Sequence, residues 1–224
     1  MCKNDLTYFS EGQDFICIEC GKKERGNVNC SNGHYVCDYC HGEKMFKKII
    51  QEILLSDGIN PVMMAKLVID NLQIPMLGCE HAWITCGSLM KSIQNSGQIQ
   101  ISQEQIIEGI NRTRRQAIGA YCGLTGICGI APAIGAVFSV ILGSACPKDK
   151  ETAITMTVSS EIIKSIAKET GPCCCKNFTY TSLIRACQLL KLHLKITLPY
   201  EVDFACENQS KHPHGCRREK CSFN

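Results

Sequence analysis

Residues 17–40 read CIECGKKERGNVNCSNGHYVCDYC, and this stretch predicts how the chain is organised. It contains two Cys-x2-Cys pairs, Cys17/Cys20 and Cys37/Cys40, with sixteen residues between them. Two residues between ligands let a tight turn place both sulfurs on one ion at about 2.3 Å, and two such turns complete a tetrahedral site. Packing alone explains the pairs less well, because so short a segment forms no core without metal. The spacing therefore predicts one zinc ion held by four thiolates.

Cys30 and His34 lie between the two pairs, so the run resembles the first part of a RING finger or a related treble-clef zinc module. In the RING pattern these two residues would begin a second, interleaved zinc site. The Cys-x2-Cys that would complete that site does not follow Cys40, and His41 is an awkward ligand because it is adjacent to Cys40. We therefore expect one zinc, with Cys30 and His34 structuring a turn or forming half a site, and no ubiquitin-ligase function.

Eighteen cysteines in 224 residues indicate either a disulfide scaffold or bound metal. The charged first residues lack the apolar stretch of a signal peptide, so we expect reduced, metal-binding thiols in a cytoplasmic protein. So many thiolates are easily oxidised, which favours an anaerobic habitat. The 24 basic and 21 acidic residues are spread along the chain and give no strong nucleic-acid signal. We expect the partner to be either a small-molecule substrate or a protein bound through the zinc module.

A long uncharged run raises the question of a membrane span. No charge occurs between residues 116 and 147, and residues 127–146 could cross a hydrocarbon layer of about 30 Å. Three glycines and Pro132 interrupt the run, however, and only residues 133–143 form an unbroken apolar stretch. A buried, glycine-rich core helix is therefore favoured, while a membrane span stays the alternative because glycine also occurs at helix contacts in membranes.

Composition changes near residue 43, and this change predicts the domain boundary. Residues 1–43 are polar, cysteine-dense and rich in turn formers, and we assign them to the zinc module. Residues 44–198 form a helical, cysteine-rich domain, and residues 199–224 form its metal-tethered tail. No strand pattern of any length competes with the helical periodicity. The predicted fold class is mainly α, with a small zinc module, an all-α domain and a cysteine-rich C-terminal tail.

Seven helices follow from the spacing of apolar residues, at 43–55, 60–71, 80–95, 102–121, 132–143, 150–169 and 178–194. Ser102 can cap the fourth helix together with Gln105 three residues later. Gly171 and Pro172 end the sixth helix, because neither residue continues a helix well.

The cysteines of the helical domain predict an iron–sulfur cluster. Glycines beside Cys122 and Cys128 leave room for a large inorganic ligand, and the amides of a loop that leads into a helix stabilise anionic sulfur. Three adjacent cysteines cannot all face one way, so at most two of Cys173, Cys174 and Cys175 should bind one cluster. The predicted cofactor-binding residues are Cys79, Cys122, Cys128, Cys173, Cys174, Cys206, Cys216 and Cys221.

Within that set, the tail pattern Cys206-x9-Cys216-x4-Cys221 forms a second candidate ligand group. The tail has few apolar residues and needs a tether, which a metal or cluster supplies, joined by a cysteine of the body or by His212 or His214. Thiols that merely pack are expected at Cys86, Cys146 and Cys187, because their surroundings in the sequence are apolar. His193 is expected at the surface of a helix end, and Cys2 is a terminal thiol without an assigned role.

His81 and Lys176 are the candidate catalytic residues. Cys79 and His81 lie at the start of a predicted helix, whose positive end favours a thiolate or a bound anion. A neutral His81 could bind metal or act as a general base, and the alternative role is a hydrogen bond at the helix start. Lys176 follows the three adjacent cysteines and could also move a proton.

The whole chain resembles a cysteine-rich prokaryotic family of unknown function, through its N-terminal CxxC and the motifs CEH, CGxxGxCGxAxxxG, GPxCCK and C-x9-C-x4-C. That resemblance implies relatives in anaerobes and methanogens. About sixty residues, 123–187, are also similar to the cluster-binding part of iron–sulfur L-serine dehydratases and cysteine desulfidases. In those enzymes three cysteines hold a [4Fe-4S] cluster whose fourth iron binds a substrate hydroxyl or thiol. The similarity implies Cys128 and two of Cys173, Cys174 and Cys175 as ligands.

Two functions follow as hypotheses. The first is an iron–sulfur enzyme, a lyase or a sulfur-handling enzyme, in which an open iron acts as a Lewis acid on a small hydroxyl- or thiol-bearing substrate. The second is a non-enzymatic scaffold or carrier, in which the zinc module recruits a partner and the other cysteines hold or deliver a metal or cluster.

Overall fold

The computed structural model of the chain describes residues 4–169 and 171–224, so Cys2 lies outside the described residues. The chain divides between Lys48 and Ile49 into two compact units. Described residues of the first unit contain a small sheet, whereas those of the second contain helices and irregular segments. The predicted fold class, mainly α with a small N-terminal module, is confirmed.

The first unit is built on a β-hairpin, which corrects the expectation that no strand of any length occurs. Strand β1 (Leu6–Ile16) pairs antiparallel with β2 (Lys23–Cys30), and the register shifts between Tyr8 and Gln13. Most residues of β1 are exposed, and β2 contains few apolar residues, so the alternation of apolar and polar residues that marks a half-buried strand is weak in the sequence. Helix α1 (Asp38–Leu55) begins directly after Cys37.

The second unit contains helices α2 (Pro61–Asn71), α3 (Glu80–Ser96), α4 (Gln103–Gln116), α5 (Cys122–Thr125), α6 (Ile130–Leu142), α7 (Asp149–Lys168) and α8 (Cys175–Leu194). Helix α3 packs against α2, α4, α6 and α8, and every residue from His81 to Ile93 is buried. Small residues allow this packing, since a Cβ added to Gly109 would lie 2.6 Å from the Met90 sulfur. Helix α3 therefore forms the centre of the helical core.

The predicted cap of α4 is confirmed, but the predicted end of that helix is wrong. The Ser102 hydroxyl accepts the Gln105 backbone N–H, and the Gln105 side chain accepts the Ser102 N–H. The helix ends at Gln116 instead of residue 121 because the backbone of Ala117 is extended (φ −83°, ψ 99°), and Ala120 then adopts a positive φ of 61°. Left-handed backbone of this kind cannot continue an α-helix, so the next residues form the separate short helix α5.

The uncharged run contains α6, which has only thirteen residues. Among the residues that the structure describes, no helix is both long and apolar enough to cross a membrane.

Irregular backbone makes up most of the tail after α8, apart from 3-10 turns at Gln209–Lys211 and Arg218–Lys220. Aromatic packing fixes this tail on α8. The rings of Phe204 and Phe223 lie 5.1 and 5.3 Å from Tyr180, both edge-on. The Cys206 N–H also donates to the Phe223 carbonyl at 2.7 Å, which brings the two ends of the tail together.

Candidate metal centres

The four cysteines of the N-terminal unit converge on one point. The sulfurs of Cys17, Cys20, Cys37 and Cys40 all lie within 4.8 Å of one another, and those of Cys20 and Cys37 are 3.7 Å apart. Sulfurs bound to one zinc at about 2.3 Å in a tetrahedron lie about 3.8 Å apart. The spacing in the structure is therefore that of a site for a single metal ion.

Local backbone geometry explains how each pair reaches the site. The first pair lies on the turn of the hairpin, where the Cys17 N–H donates to the Lys22 carbonyl and the Gly21 N–H donates to the Cys17 carbonyl, both at 2.9 Å. Gly21 has a φ of 72°, which glycine adopts without strain. The second pair spans the start of α1, and the Cys37 N–H donates to the Cys17 sulfur at 3.3 Å.

Electrostatics at this site favour a bound cation. Burial acts to raise the pKa of Cys17, but backbone N–H groups of Cys37, Cys20 and Glu19 outweigh it and lower the pKa to about 6. Burial and the neighbouring thiols raise the pKa of Cys40 well above its usual range. The Cys17 thiolate thus forms readily, whereas the Cys40 thiol needs a positive charge before it ionises.

Cys30 and His34 lie outside the four-sulfur group. The Cys30 N–H donates to the His34 carbonyl at 3.0 Å, and the Gly33 N–H donates to the Cys30 carbonyl at 2.8 Å. These bonds close a tight turn after β2. His34 and His41 are exposed.

A second group of thiols surrounds a cavity of about 410 Å³ in the helical unit. Its polar lining consists largely of Cys79, Cys122, Cys128, Cys173, Cys175 and His214. An adjoining cavity of about 270 Å³ shares three of these thiols, those of Cys122, Cys128 and Cys173. The Cys122 and Cys173 sulfurs are 3.8 Å apart. Cysteines separated by up to 96 residues in sequence therefore meet in one place.

Three long helices begin at this cavity. Cys79 is the N-cap residue of α3, Cys128 directly precedes Gly129 at the N-cap of α6, and Cys175 is the first residue of α8. Helix N-termini carry partial positive charge and unpaired N–H groups, both of which stabilise thiolates and other anions. From the sequence, Cys175 was one of three alternatives of which at most two should bind a cluster, and His214 was considered only for the tail group. Helix α8 begins at Cys175, three residues before the predicted start at residue 178. A predicted helix that began at the adjacent cysteines would have placed Cys175 at a positive helix end.

Without a cation the thiols of Cys79, Cys122 and Cys128 stay protonated, because the pKa of each is raised. Burial is the main cause of the raised pKa of Cys128, which reaches about 12. Burial and the charge of Cys173 raise the pKa of Cys122, and burial with the charge of Glu80 raises that of Cys79. Loading a metal would therefore release protons, and affinity should rise with pH.

The candidate catalytic residues lie elsewhere. His81 is fully buried, its Nδ1 is 3.2 Å from the Gly78 carbonyl, and its Nε2 has no partner among the described residues. Burial lowers the pKa of His81 to about 4, which keeps the imidazole neutral. Lys176 lines a different cavity, of about 780 Å³, beside Lys66 and Tyr180. Neither His81 nor Lys176 is among the residues that line the 410 Å³ cavity.

Cys174 faces away from its two neighbours. It borders a small void of about 20 Å³ together with the three tail cysteines, Cys206, Cys216 and Cys221. The three adjacent cysteines are thus divided, two toward the larger cavity and one toward the tail. His212 is not free to bind metal, because its Nδ1 accepts the His214 N–H at 3.2 Å and its Nε2 lies 3.0 Å from the Cys173 carbonyl.

Two of the three thiols predicted to pack do so. Cys86 and Cys187 are buried, and burial raises the pKa of each to about 12. Cys146 is exposed in the turn after α6, which corrects the prediction for it. His193 lies in the last turn of α8, half-buried, with its ring edge-on to Phe138 at 6.4 Å.

Residues 49–224 match the model of a family described as "Family of unknown function (DUF5714)". No curated protein and no solved structure matches the chain. The matched range starts where the second compact unit starts, so the four-cysteine site of residues 17–40 lies outside it.

Proposed function

Since the chain belongs to the family of unknown function DUF5714, we propose its activity from its own residues. We propose an iron–sulfur enzyme, a lyase or sulfur-handling enzyme that acts on a small hydroxyl- or thiol-bearing molecule, with a structural zinc in the N-terminal unit. One observation carries the proposal. Five thiols and one imidazole line an open cavity of about 410 Å³ at which three helices begin.

Cysteine thiolates are the usual protein ligands of iron–sulfur clusters. Cys79, Cys122, Cys128 and Cys173 are the candidates to hold the cluster, and Cys175 lies beside them. When bound through three cysteines, such a cluster supplies a Lewis-acidic iron that polarises a substrate oxygen or sulfur. The resemblance to dehydratases and desulfidases inferred from the sequence of residues 123–187 implies the same chemistry.

The residues of the chain have three tasks in this proposal. The N-terminal amides of α3, α6 and α8 stabilise the negative charge of the cluster. The apolar part of the cavity wall, Ala82, Ala117 and Ile130 among others, restricts water around the reacting atoms. His214 is exposed and lines the same cavity, so it is the group placed to carry a proton to or from the substrate. This assignment replaces His81 and Lys176, which lie elsewhere.

Zinc is proposed for the N-terminal site because four thiolates with no open position form the usual structural zinc site. Bound there, zinc would join the hairpin turn to the start of α1 and so stabilise a unit with a very small core. Its core consists of Cys17, Tyr35 and Cys37 with three partly buried neighbours.

Anaerobic purification from iron-replete cells tests the proposal. The protein should contain zinc, iron and sulfide and show a broad absorption at about 400 nm that a true substrate perturbs. Cys128→Ala should remove the iron signal and keep the zinc. Cys146→Ala removes an exposed thiol outside both sites and serves as the matched control. A colourless protein with zinc but neither iron nor sulfide would overturn the enzyme proposal.

The second candidate function is a non-enzymatic scaffold or carrier. Its supporting observation is that three apolar residues adjacent in sequence to the ligand cysteines are exposed: Ile16, Ile18 and Tyr39. Exposed apolar side chains are available for contact with a partner. Transfer of iron and sulfide from the loaded protein to an apo-ferredoxin, with no compound perturbing the spectrum, would favour the carrier over the enzyme.

A further inference from the structure

We infer that the cavity of about 780 Å³ is a binding site for a small organic acid, a monocarboxylate with an apolar chain. The cavity lies between the end of α2, the first turns of α8 and the beginning of the tail. Its volume falls within the range of about 300–1,000 Å³ that is usual for small-molecule sites. No described residue lines both this cavity and the 410 Å³ cavity, so the inference does not depend on the proposed function.

Lysine side chains give this cavity its positive charge. Lys66 comes from α2, Lys176 from α8 and Lys211 from the tail, whereas the acidic residues of the lining are Asp70 and Glu207. Asp70 pairs with Lys66 at 2.6 Å, which uses one charge of each sign. With three lysines against two carboxylates, the ionised lining has a net charge of +1. This excess matches a ligand with a single negative charge better than a phosphate dianion.

Lys176 is the most buried of the three lysines. The residue is only 6% exposed, and it forms no hydrogen bond or ion pair with another described residue. Burial lowers the pKa of Lys176, while the charge of Asp70 acts in the opposite direction. Its ammonium is not sealed in the core but borders the open space of the cavity. A carboxylate in the cavity would therefore accept a charge-assisted hydrogen bond from Lys176, and bonds of this kind are about twice as strong as neutral ones.

Tyr180 supplies a second donor on the same face of α8. It follows Lys176 by four residues, and residues four apart in a helix are neighbours on one face. Tyr180 is buried, and burial together with the charge of Asp70 raises the pKa of its hydroxyl above the usual range. A phenol that stays protonated donates a hydrogen bond. Lys176 and Tyr180 are thus placed to hold the two oxygens of one carboxylate.

The apolar part of the wall fits the organic part of the ligand. Ile69, Ile74 and Met76 line the cavity and are buried in the protein. Phe204 adds an aromatic face, and the Lys66 ammonium lies 5.3 Å from the centre of its ring. An inorganic anion would leave this surface uncovered, whereas an aliphatic chain would remove it from water.

Isothermal titration calorimetry of the full-length protein with hexanoate, butyrate and inorganic phosphate tests the site. Hexanoate should bind at one site per chain and about fifteenfold more tightly than butyrate, because it buries two more methylene groups and each is worth about fourfold in affinity. Inorganic phosphate should bind more weakly than hexanoate. Equal affinities for hexanoate and butyrate, or no saturable binding of hexanoate, overturn the inference.

A lysine variant shows whether the acid binds in this cavity. Lys176→Met keeps an apolar stem but removes the charge, so it should weaken hexanoate binding about tenfold or more. Lys220→Met is the matched control, because Lys220 is exposed and does not line the cavity. Hexanoate binding that is the same in wild type, Lys176→Met and Lys220→Met overturns the assignment to this cavity.

A second variant keeps the test decisive if Lys176→Met fails to fold, which urea unfolding shows. Lys211→Met changes an exposed residue of the tail and should weaken hexanoate binding about two- to fivefold. An unchanged affinity in this variant then overturns the inference. Zinc, iron and sulfide contents should be the same in Lys211→Met and wild type, because neither metal centre uses this residue. Loss of hexanoate binding with intact metal content, or the reverse, therefore separates this site from the proposed cluster.

Discussion

Replacing Arg217 by alanine should destabilise the helical unit and weaken the site at Cys173. The Arg217 side chain is 2% exposed and its Nη1 lies 3.3 Å from a Glu169 oxygen, whose side chain is 12% exposed. Its Nη2 donates to the Pro172 carbonyl at 2.6 Å, and its guanidinium lies 5.4 Å from the centre of the Phe178 ring. One side chain therefore connects the tail to the loop that carries Cys173.

The magnitude follows from what the truncation leaves behind. Removing one partner of a buried ion pair costs about 3–5 kcal/mol, because the other charge stays buried without compensation. Here the hydroxyls of Thr181 and Ser222, each 3.4 Å from Glu169 Oε1, compensate in part. We therefore expect the lower end of the range, about 3 kcal/mol. The carbonyl of Pro172 also loses its donor, so Cys173 should be held less firmly.

Urea unfolding followed by circular dichroism measures this change, at matched metal content and with the slope checked for equality. Arg218→Ala is the control, because Arg218 is the exposed neighbour and should change stability by no more than about 0.5 kcal/mol. Glu169→Gln in the Arg217→Ala background should recover part of the loss, since it removes the unpaired charge. A loss below about 1 kcal/mol in Arg217→Ala would refute the reasoning.

Two further changes test other parts of the structure. Gly26→Ala should speed zinc loss to a chelator, because the new Cβ would lie 2.6 Å from the Tyr35 ring and crowding of this kind costs about 1–3 kcal/mol; unchanged zinc retention would contradict it. Iodoacetamide should label Cys146 in the folded protein and Cys86 only after unfolding, because burial raises the pKa of Cys86 to about 12; equal labelling rates by mass spectrometry would contradict the structure.

Local chemistry made the N-terminal site predictable. Two Cys-x2-Cys pairs fix their own turns, so the convergence of Cys17, Cys20, Cys37 and Cys40 needs only one further contact, between the two turns. The cap at Ser102 was predictable for the same reason, since the capping box involves residues three apart. The hairpin was not predictable, because β1 is mostly exposed and β2 contains few apolar residues, so neither strand shows a clear apolar–polar alternation in the sequence.

The arrangement of the other cysteines depends on tertiary structure. Sequence reasoning showed that adjacent cysteines must diverge, but which of them face the 410 Å³ cavity depends on where α8 begins. The partnership of Cys174 with the tail depends on the aromatic packing of Phe204 and Phe223 on Tyr180. Neither contact leaves a local pattern in the sequence. His214 likewise reaches the cavity only because the tail folds back onto the helices.

Anomalous diffraction at the iron absorption edge, from crystals grown without oxygen, tests the central claim most directly. The account predicts iron within the 410 Å³ cavity, bounded by Cys122, Cys128 and Cys173, and a zinc-edge signal only among the four N-terminal cysteines. A map with no iron in that cavity, or with zinc at its thiols, would contradict the account.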